Sequence, residues 1–311
     1  FIVNVFASRL GRMTLADLEL LSAQSRRFAE TGRVPKYIPS FARAHPDWFA
    51  VHIATPLQQH WSLGDEQVTF CLMSVVKPFV LLYLLEKLGS EQVFRSVGMQ
   101  PSDLPFNSLI QLQADQGFPR NPMLNSGAIA LVSRFPGLNG AERCEYFRQW
   151  LNQQAGVSLT LDHDTLSSVK GLPNEQNRAI AHSLGEAGRL GGSVSNAIET
   201  YERVCCLAGT VEDLARLGLL LAQPRATVNP DHCCTVLALM TTCGLYEASA
   251  QFAVEVGIPT KSGVSGALLA IVPREGAIVC YSPPLDSIGN SAAGLHFLKQ
   301  LARRFHLTLF G

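Results

Sequence analysis

The sequence predicts an α/β protein in which an antiparallel sheet is flanked by helices and carries an inserted all-helical lobe. Strand-like segments lie near both ends of the chain, and a mostly helical pattern occupies the interval between them. These segments are 48–55, 67–72, 261–264, 268–272 and 277–281. Hydrophobic residues make up 47% of the 311 residues and charged residues only 16%, which supports a substantial core. We therefore expect a single domain, with an α/β lobe from about 1–73 and 250–311 and a helical lobe from about 74–249.

The first third of the chain begins with strand and helix signals. Residues 1–6, FIVNVF, are typical of a first strand. Thr14 followed by apolar residues at helical spacing predicts an amphipathic helix that ends at Gly32. Turns are expected at 55–60 and 63–65, between the two strands of this part of the chain.

The remainder of the chain is predicted from periodicity and its interruptions. An apolar helix is expected over 74–89, and further helices with Pro and Gly breaks over much of 104–221. Residues 274–276 (Arg-Glu-Gly) are predicted to form a hairpin turn between the last two strands. A helix with a cationic last turn is expected over 292–305.

Charge and cysteine usage exclude several classes of protein. Twenty-five basic residues balance 25 acidic ones, so a basic nucleic-acid-binding surface is not expected. The longest apolar stretch, 70–85, is interrupted by Ser74 and Lys77, so no membrane span is predicted. The opening residues lack the features of a signal peptide. The eight cysteines form no CxxC pair, which favours reduced thiols in a cytoplasmic protein, with no metal site and no cofactor.

Two S-x-x-K patterns occur, and their surroundings distinguish them. Ser74 follows a strand and begins an apolar helix, so one turn would bring Lys77 alongside it. An amine held away from water there could lose its proton and serve as a base toward the hydroxyl. A helix cap followed by an exposed lysine is the structural alternative, but no polar face lies near Lys77. The second pattern, Ser167 to Lys170, has no apolar helix behind it and is interpreted as accidental.

A second motif, Lys261-Ser262-Gly263, precedes Val264 and lies 187 residues after Ser74, with the helical segment between them. A Lys-Ser-Gly strand that faces an S-x-x-K serine resembles the arrangement of serine β-lactamases and penicillin-binding proteins. That resemblance implies the β-lactamase/DD-peptidase-like fold. It also implies that the lysine cation and the backbone N–H groups of this strand hold the acyl oxygen of a substrate.

The wider sequence resembles the serine-dependent glutaminases, a branch of the same fold. Matching blocks occur in order along nearly the whole chain. They are GRVPKYIP at 32–39, LGD at 63–65, FNS at 106–108, NPMLNSGAI at 121–129, NRAIA at 177–181, ETY at 199–201, TTCGLY at 241–246, VGIPTKSGV at 256–264 and SPPLDSIGNSAAG at 282–294.

The resemblance implies a set of catalytic roles. Ser74 would attack the side-chain carboxamide carbon of glutamine, and Lys77 would be its base. Tyr246 would relay a proton to the departing ammonia, with Tyr201 as a second phenol in the network. Backbone N–H groups of Ser74 and Val264 would form an oxyanion hole.

The resemblance also implies a substrate pocket, and two positions depart from the family pattern there. Asn125 and Asn177 would hold the substrate α-carboxylate, and Tyr37 would line the same end. The residue before the nucleophile, usually glutamine, is Met73. Seven residues before Asn177, where the family carries a glutamate for the α-ammonium, the chain has Lys170, which would repel that ammonium.

Three functions remain open on the sequence alone. The first is an L-glutaminase, and the second is an amidase whose substrate lacks the α-amine or carries an extra carboxylate, as a cation at Lys170 would favour. The third is a catalytically silent paralogue; a β-lactam hydrolase is a lesser option. A local gap could instead shift the register, so that Glu175 supplies the missing carboxylate. In each enzymatic case the partner is a small molecule, and the resemblance implies a homo-oligomer, either a dimer or a tetramer.

Overall fold

A five-stranded antiparallel sheet, in the order β2-β1-β8-β7-β6, lies at the centre of the structure. The structure is a computed structural model and describes residues 8–102, 104–172, 175–224 and 226–310. A smaller antiparallel sheet has the order β3-β5-β4. The strands are β1 (Ala50–Ala54), β2 (His60–Gly64), β3 (Phe70–Cys71), β4 (Thr160–Leu161), β5 (Leu207–Gly209), β6 (Thr260–Ser262), β7 (Ala267–Val272) and β8 (Gly276–Tyr281).

Helices cover both faces of the large sheet and fill the interval between its two groups of strands. They are α1 (Leu15–Arg26), α2 (Lys77–Leu88), α3 (Ser90–Phe94), α4 (Leu109–Ala114), α5 (Asn125–Val132), α6 (Gly140–Ala155), α7 (His163–Lys170), α8 (Glu175–Glu186), α9 (Val194–Cys205), α10 (Val211–Ala222), α11 (Pro230–Cys243), α12 (Ser249–Glu255) and α13 (Ala292–Phe305). The antiparallel sheet flanked by helices agrees with the predicted architecture.

Alternating side chains of β7 divide the core into two parts. Leu268 and Ala270 join a cluster with helices α1 and α13 on one face of the sheet. Leu269 and Ile271 join the larger cluster with helices α2 to α11 on the other face, whereas α12 packs with α1 and α13. Successive side chains of a strand point to opposite faces, so a strand buried on both faces is apolar throughout. This explains the continuous run ALLAIV in β7.

Most of the predicted elements at the two ends of the chain are confirmed. Helix α1 is capped by Thr14 and continues as a 3₁₀ turn to Thr31, and α13 has the predicted bounds. The hairpin turn before β8 is also present, with Arg274 at a positive φ of 66°. Residues 1–6, predicted as a first strand, lie outside the described residues.

Four strands were not predicted, or were predicted with wrong bounds. The turn expected at 63–65 is wrong, because β2 extends to Gly64 as an edge strand. Only Phe70–Cys71 of the segment 67–72 is a strand, and it belongs to the small sheet. Strands β4 and β5 were missed because two or three residues are too few to show a period.

Helix α10 lies in the segment predicted to form the helical lobe, and it packs against β1, β7 and β8. The division into two lobes at 74 and 249 stays a prediction. Among the described residues no single helix combines the length and apolar composition needed to cross a membrane. Helix α11 and the segment Tyr246–Glu255 reach that length only together, with a bend of 98° between them.

Candidate active site

Ser74 lies on a tight turn between β3 and α2. Residues Met73–Val76 form a 3₁₀ turn, and the α-helix begins at Lys77, so the first turn of the predicted helix is 3₁₀. Met73, directly before the serine, has a φ of 46°, a left-handed conformation that costs about 1 kcal/mol or more for a residue with a side chain. Ser74 is largely buried but lines a cavity among the described residues. The strained turn therefore presents the hydroxyl to that cavity.

Lys77 is buried on the same side of this turn. Lys77 follows Ser74 by three residues, a spacing at which side chains of a helical turn share one side of it. Lys77 is 1% exposed, and its amine donates to the backbone oxygen of Met123 at 3.0 Å and to Oδ1 of Asn125 at 2.8 Å. Burial lowers the pKa of Lys77 to about 8. A neutral amine with two hydrogen bonds donated keeps its lone pair for the serine proton.

This pKa predicts how activity depends on pH. The amine must be neutral to accept a proton, so kcat/KM should rise about tenfold per pH unit on the acid side and level off above about pH 8. Burial raises the pKa of Tyr246 to about 12 and that of Cys205 to about 11, so both groups titrate above this range. Initial rates measured from about pH 6 to 10 test it. A value of kcat/KM that stays constant between about pH 6 and 8 would contradict the assignment of Lys77 as the base.

Tyr246 connects the nucleophile turn to strand β6. Its hydroxyl donates to the backbone oxygen of Ser262 at 3.4 Å and shares a hydrogen bond with the side chain of Ser74. The backbone of Tyr246 has a φ of 57°, which is uncommon for a tyrosine. Because the pKa of this phenol is raised by burial, Tyr246 is neutral near pH 7 and can both accept and donate a proton.

Lys261 is a second fully buried lysine, and its amine lies against the ring of Tyr246. Its amine donates to the backbone oxygens of Gly244 at 3.0 Å and Ser262 at 2.7 Å, and it lies 4.7 Å from the centre of the Tyr246 ring. Burial, with a further contribution from the charge of Lys77, holds the pKa of Lys261 well below its usual value. Lys261 therefore ties the turn before Tyr246 to β6. Ser262 is fully buried in the same strand.

Gly263 lets the end of β6 approach the nucleophile turn. A Cβ at this position would lie 2.8 Å from the backbone oxygen of Leu72 and 3.4 Å from the backbone nitrogen of Ser74. Any larger residue would therefore push the strand away from the serine. Val264 follows and lines the cavity next to Ser74. The backbone segments predicted to form an oxyanion hole are thus adjacent.

The cavity has a volume of about 990 Å³, and several of the predicted residues lie in its wall. They are Tyr37, Met73, Ser74, Asn125, Asn177, Tyr201 and Val264. Asn125 donates through Nδ2 to Oδ1 of Asn177 at 2.9 Å, so a continuous chain of hydrogen bonds runs outward from Lys77. The centre of the Tyr201 ring lies 6.0 Å from the amine of Lys77. Tyr37 is 57% exposed and lies at the rim.

Lys170 and Glu175 do not join this group. The amine of Lys170 lies 3.8 Å from Oε1 of Glu199, its side chain is 42% exposed, and it is not part of the described cavity wall. Glu175, the carboxylate considered for a shifted register, is exposed at the start of α8 and is also outside the wall. The repulsive charge expected beside the substrate amine is therefore absent from the described wall.

Sequence reasoning missed several residues that the structure brings to the cavity. Phe106 packs on Tyr246 with ring centres 4.5 Å apart, and Cys205 forms a hydrogen bond with Tyr201. Glu202, on α9 beside Tyr201, is 5% exposed and contributes to the wall. Its position next to the ETY block is the one sequence signal that could have identified it.

Within the described part of the chain, no group of three or more His, Cys, Asp or Glu side chains is arranged to hold a metal ion. All eight cysteines are free, and only Cys234 is exposed.

Comparison with known proteins identifies the group to which this arrangement belongs. A family model described as Glutaminase matches residues 32–310. A glutaminase of Synechocystis sp. is 45% identical over 280 residues, which cover 89% of this chain and 85% of that protein.

Solved structures agree with the sequence comparisons. The structure of the probable glutaminase ybaS superposes with a TM-score of 0.89 at 33% identity, covering 96% of this chain and 99% of that one. The Bacillus subtilis glutaminase YbgJ, solved as a covalent complex formed by reaction with 6-diazo-5-oxo-L-norleucine, has a TM-score of 0.86 at 29% identity, covering 95% and 99%. These neighbours confirm the predicted β-lactamase-like fold, and the chain belongs to the glutaminase family.

Proposed function

We propose that the protein hydrolyses the side-chain amide of L-glutamine to L-glutamate and ammonia through an acyl-enzyme on Ser74. The observation that supports this most strongly is the buried amine of Lys77, whose pKa is lowered to about 8, on the same side of the turn as a serine that lines the cavity. A buried lysine with a lowered pKa beside a hydroxyl is the arrangement that activates a serine. The family membership supports the identity of the substrate.

The arrangement of these groups supports the following sequence of steps. As Oγ of Ser74 attacks the amide carbon, its proton passes to the neutral amine of Lys77. The developing oxyanion accepts hydrogen bonds from the backbone N–H groups of Ser74 and Val264. Breaking the C–N bond releases ammonia, and the proton that it requires returns from Lys77 through the hydroxyl of Tyr246. Water then attacks the ester, its proton passes along the same route to Oγ, and glutamate leaves.

Asn125 and Asn177 line the same cavity as Ser74, which supports a role for them in holding the far end of the substrate. The amide carbon and the α-carbon of glutamine are three C–C bonds apart, a span of about 4 Å. The two amides are linked to each other and to Lys77 by hydrogen bonds of 2.9 and 2.8 Å, and both line the cavity that contains Ser74. We infer that their N–H groups bind the α-carboxylate, with Tyr37 at the rim.

The test combines turnover with covalent labelling. Ammonia release from millimolar glutamine should be compared with release from glutaramate and other dicarboxylic monoamides. The glutamine analogue 6-diazo-5-oxo-L-norleucine, which forms a covalent complex with a structural neighbour, should label one residue, and peptide mass mapping should place the label on Ser74. If the protein neither hydrolyses glutamine nor becomes labelled, it is a catalytically silent paralogue. A label on a residue other than Ser74 would contradict the proposed nucleophile.

We also propose that the protein assembles as a homo-oligomer, a dimer or a tetramer, and that it works in the cytoplasm. The family resemblance supports the assembly. The eight free thiols support a reducing compartment, because disulfides persist mainly in oxidising ones.

A further inference from the structure

Three arginines lie around the loop that joins α8 to α9. They are Arg134, two residues after the end of α5, Arg143 on α6, and Arg189 within the loop itself. Arg143 is only 8% exposed, and the other two are half-buried. Within the residues that the structure describes, none of the three forms an ion pair. Buried charges in proteins are usually paired, so an unpaired group of three requires an explanation.

The carboxylates of α6 and α9 that lie near these arginines in the chain have other partners. Oε2 of Glu142 accepts a hydrogen bond from a backbone N–H of the preceding loop at 2.8 Å. Glu145 lies 2.6 Å from Nη2 of Arg148. Glu199 lies 2.9 Å from Nη2 of Arg203. These negative charges are therefore engaged by other cations or by the backbone.

Hydrogen bonds hold the guanidinium groups in place without neutralising them. Arg134 donates through Nε to Oγ of Ser96 at 2.7 Å and through Nη2 to the backbone oxygen of Arg189 at 3.0 Å. Arg143 donates through Nε to the backbone oxygen of Gly137 at 3.1 Å. All three acceptors are uncharged, so the groups are oriented while their positive charge remains uncompensated.

Several donors of the group also lack an acceptor. Nη1 of Arg143 and Nε of Arg189 are buried and have no hydrogen-bond partner in the described part of the chain. Such donors are rare in folded proteins, and each one calls for a missing partner. Burial lowers the pKa of Arg134, and the positive charge of Arg189 lowers it further, so these two cations repel each other. The group would thus be stabilised by a negative charge that the described chain does not supply.

Two consecutive exposed glycines leave the guanidinium groups uncovered by loop side chains. A Cβ at Gly191 would lie 3.0 Å from Nη1 of Arg134, and a Cβ at Gly192 would lie 3.3 Å from Nη2 of Arg143. Each glycine therefore contacts a different arginine, and the positive charges lie at separate points along the loop. Helix α9 begins two residues after Gly192, and its N-terminus adds a partial positive charge.

The arginine group is separate from the catalytic cavity. None of the three arginines belongs to the described cavity wall. Asn125, which does line the cavity, is the first residue of α5, and Arg134 follows the opposite end of that helix. An α-helix of 8 residues is about 12 Å long, which gives the scale of the separation.

We propose that Arg134, Arg143 and Arg189 form a binding site for a small polycarboxylate anion. A guanidinium group matches a carboxylate through two parallel N–H bonds. Because the charges lie at separate points along the loop, an anion whose carboxylates are several ångströms apart can reach more than one arginine. A single-centred anion such as phosphate, or a monocarboxylate such as acetate, reaches fewer of them.

The test is isothermal titration calorimetry with citrate as the probe, at an ionic strength kept constant with NaCl. The protein should bind one citrate per chain, and it should bind phosphate and acetate at least about tenfold more weakly. Arg134→Gln and Arg143→Gln should each weaken citrate binding by about tenfold or more, because a charge-assisted contact is lost. Arg143→Lys, which keeps the charge but not the planar fork, should cause a smaller loss. Arg216→Gln removes an exposed charge on α10 and should leave citrate binding unaltered.

Three results would overturn the proposal. The first is the absence of saturable citrate binding up to about 10 mM. The second is unchanged citrate binding in both glutamine variants, with thermal unfolding showing that they are folded, because citrate would then bind elsewhere. The third is phosphate binding as tight as that of citrate, which would contradict the polycarboxylate class. If Arg143→Gln does not fold, Arg134→Gln and Arg143→Lys provide the same comparison.

Discussion

Replacing Ser74 with alanine is expected to lower kcat for glutamine hydrolysis by about 10⁵-fold, the loss typical of a removed nucleophile. Alanine has no oxygen, so the acyl-enzyme cannot form, and only substrate binding and the oxyanion site remain. The turn should keep its shape, because its backbone conformation is set by Met73 and the start of α2. The measurement is steady-state ammonia release together with labelling by 6-diazo-5-oxo-L-norleucine, which should disappear.

The second S-x-x-K pattern provides a matched control for this change. Ser167 is exposed on α7, whereas Ser74 lines the cavity, so Ser167→Ala should change kcat by no more than about twofold. The Ser74→Ala protein should unfold within about 1 kcal/mol of the unmodified one, since a single hydroxyl is lost. Retention of a tenth or more of the activity by Ser74→Ala would require a different nucleophile.

Replacing Lys77 with methionine is expected to lower kcat by about 10³- to 10⁴-fold, the upper range for removal of a general base. Methionine has a similar length and fits a buried position, so the loss should come from chemistry. Two acceptors, the backbone oxygen of Met123 and Oδ1 of Asn125, would lose their donor, which should cost about 2 kcal/mol of unfolding free energy. The residual activity should no longer show the rise toward pH 8.

Two variants separate the role of a base from that of a positive charge. Arginine is not deprotonated in proteins, so Lys77→Arg should be nearly as inactive as Lys77→Met if the neutral amine is the base. Recovery of activity in Lys77→Arg would show that charge alone is needed. Lys87→Met, an exposed lysine on the same helix, should leave kcat and the pH profile unaltered.

The pairing of Ser74 with Lys77 could be predicted because it depends on neighbours in the chain. Two residues three positions apart lie on the same side of a helical turn whatever the rest of the protein does, and the apolar run around Lys77 predicts its burial. The structure confirms that burial. The helix was predicted in its α form from Ser74 onward. Its first turn is instead 3₁₀, a difference that local periodicity does not reveal.

The surroundings of Lys170 show where sequence reasoning was insufficient. Counting back from Asn177 identified the position, but not the direction in which its side chain extends. That direction depends on α9, which brings Glu199 to the outer side and Glu202 to the cavity. Edge strand β2 was missed because it is only partly buried, so its apolar and polar residues do not alternate clearly.

The sequence by itself determined the sheet with its flanking helices, the two buried lysine motifs and the kinship carried by ordered blocks. These features are encoded in periodicity, in spacing within one turn and in runs of adjacent residues. Only the tertiary structure decided that Tyr246 contacts Ser74, that Gly263 brings β6 against the nucleophile turn, and that Glu202 faces the cavity. Those contacts join segments far apart in the chain, and their geometry is set by the packing of whole helices and strands.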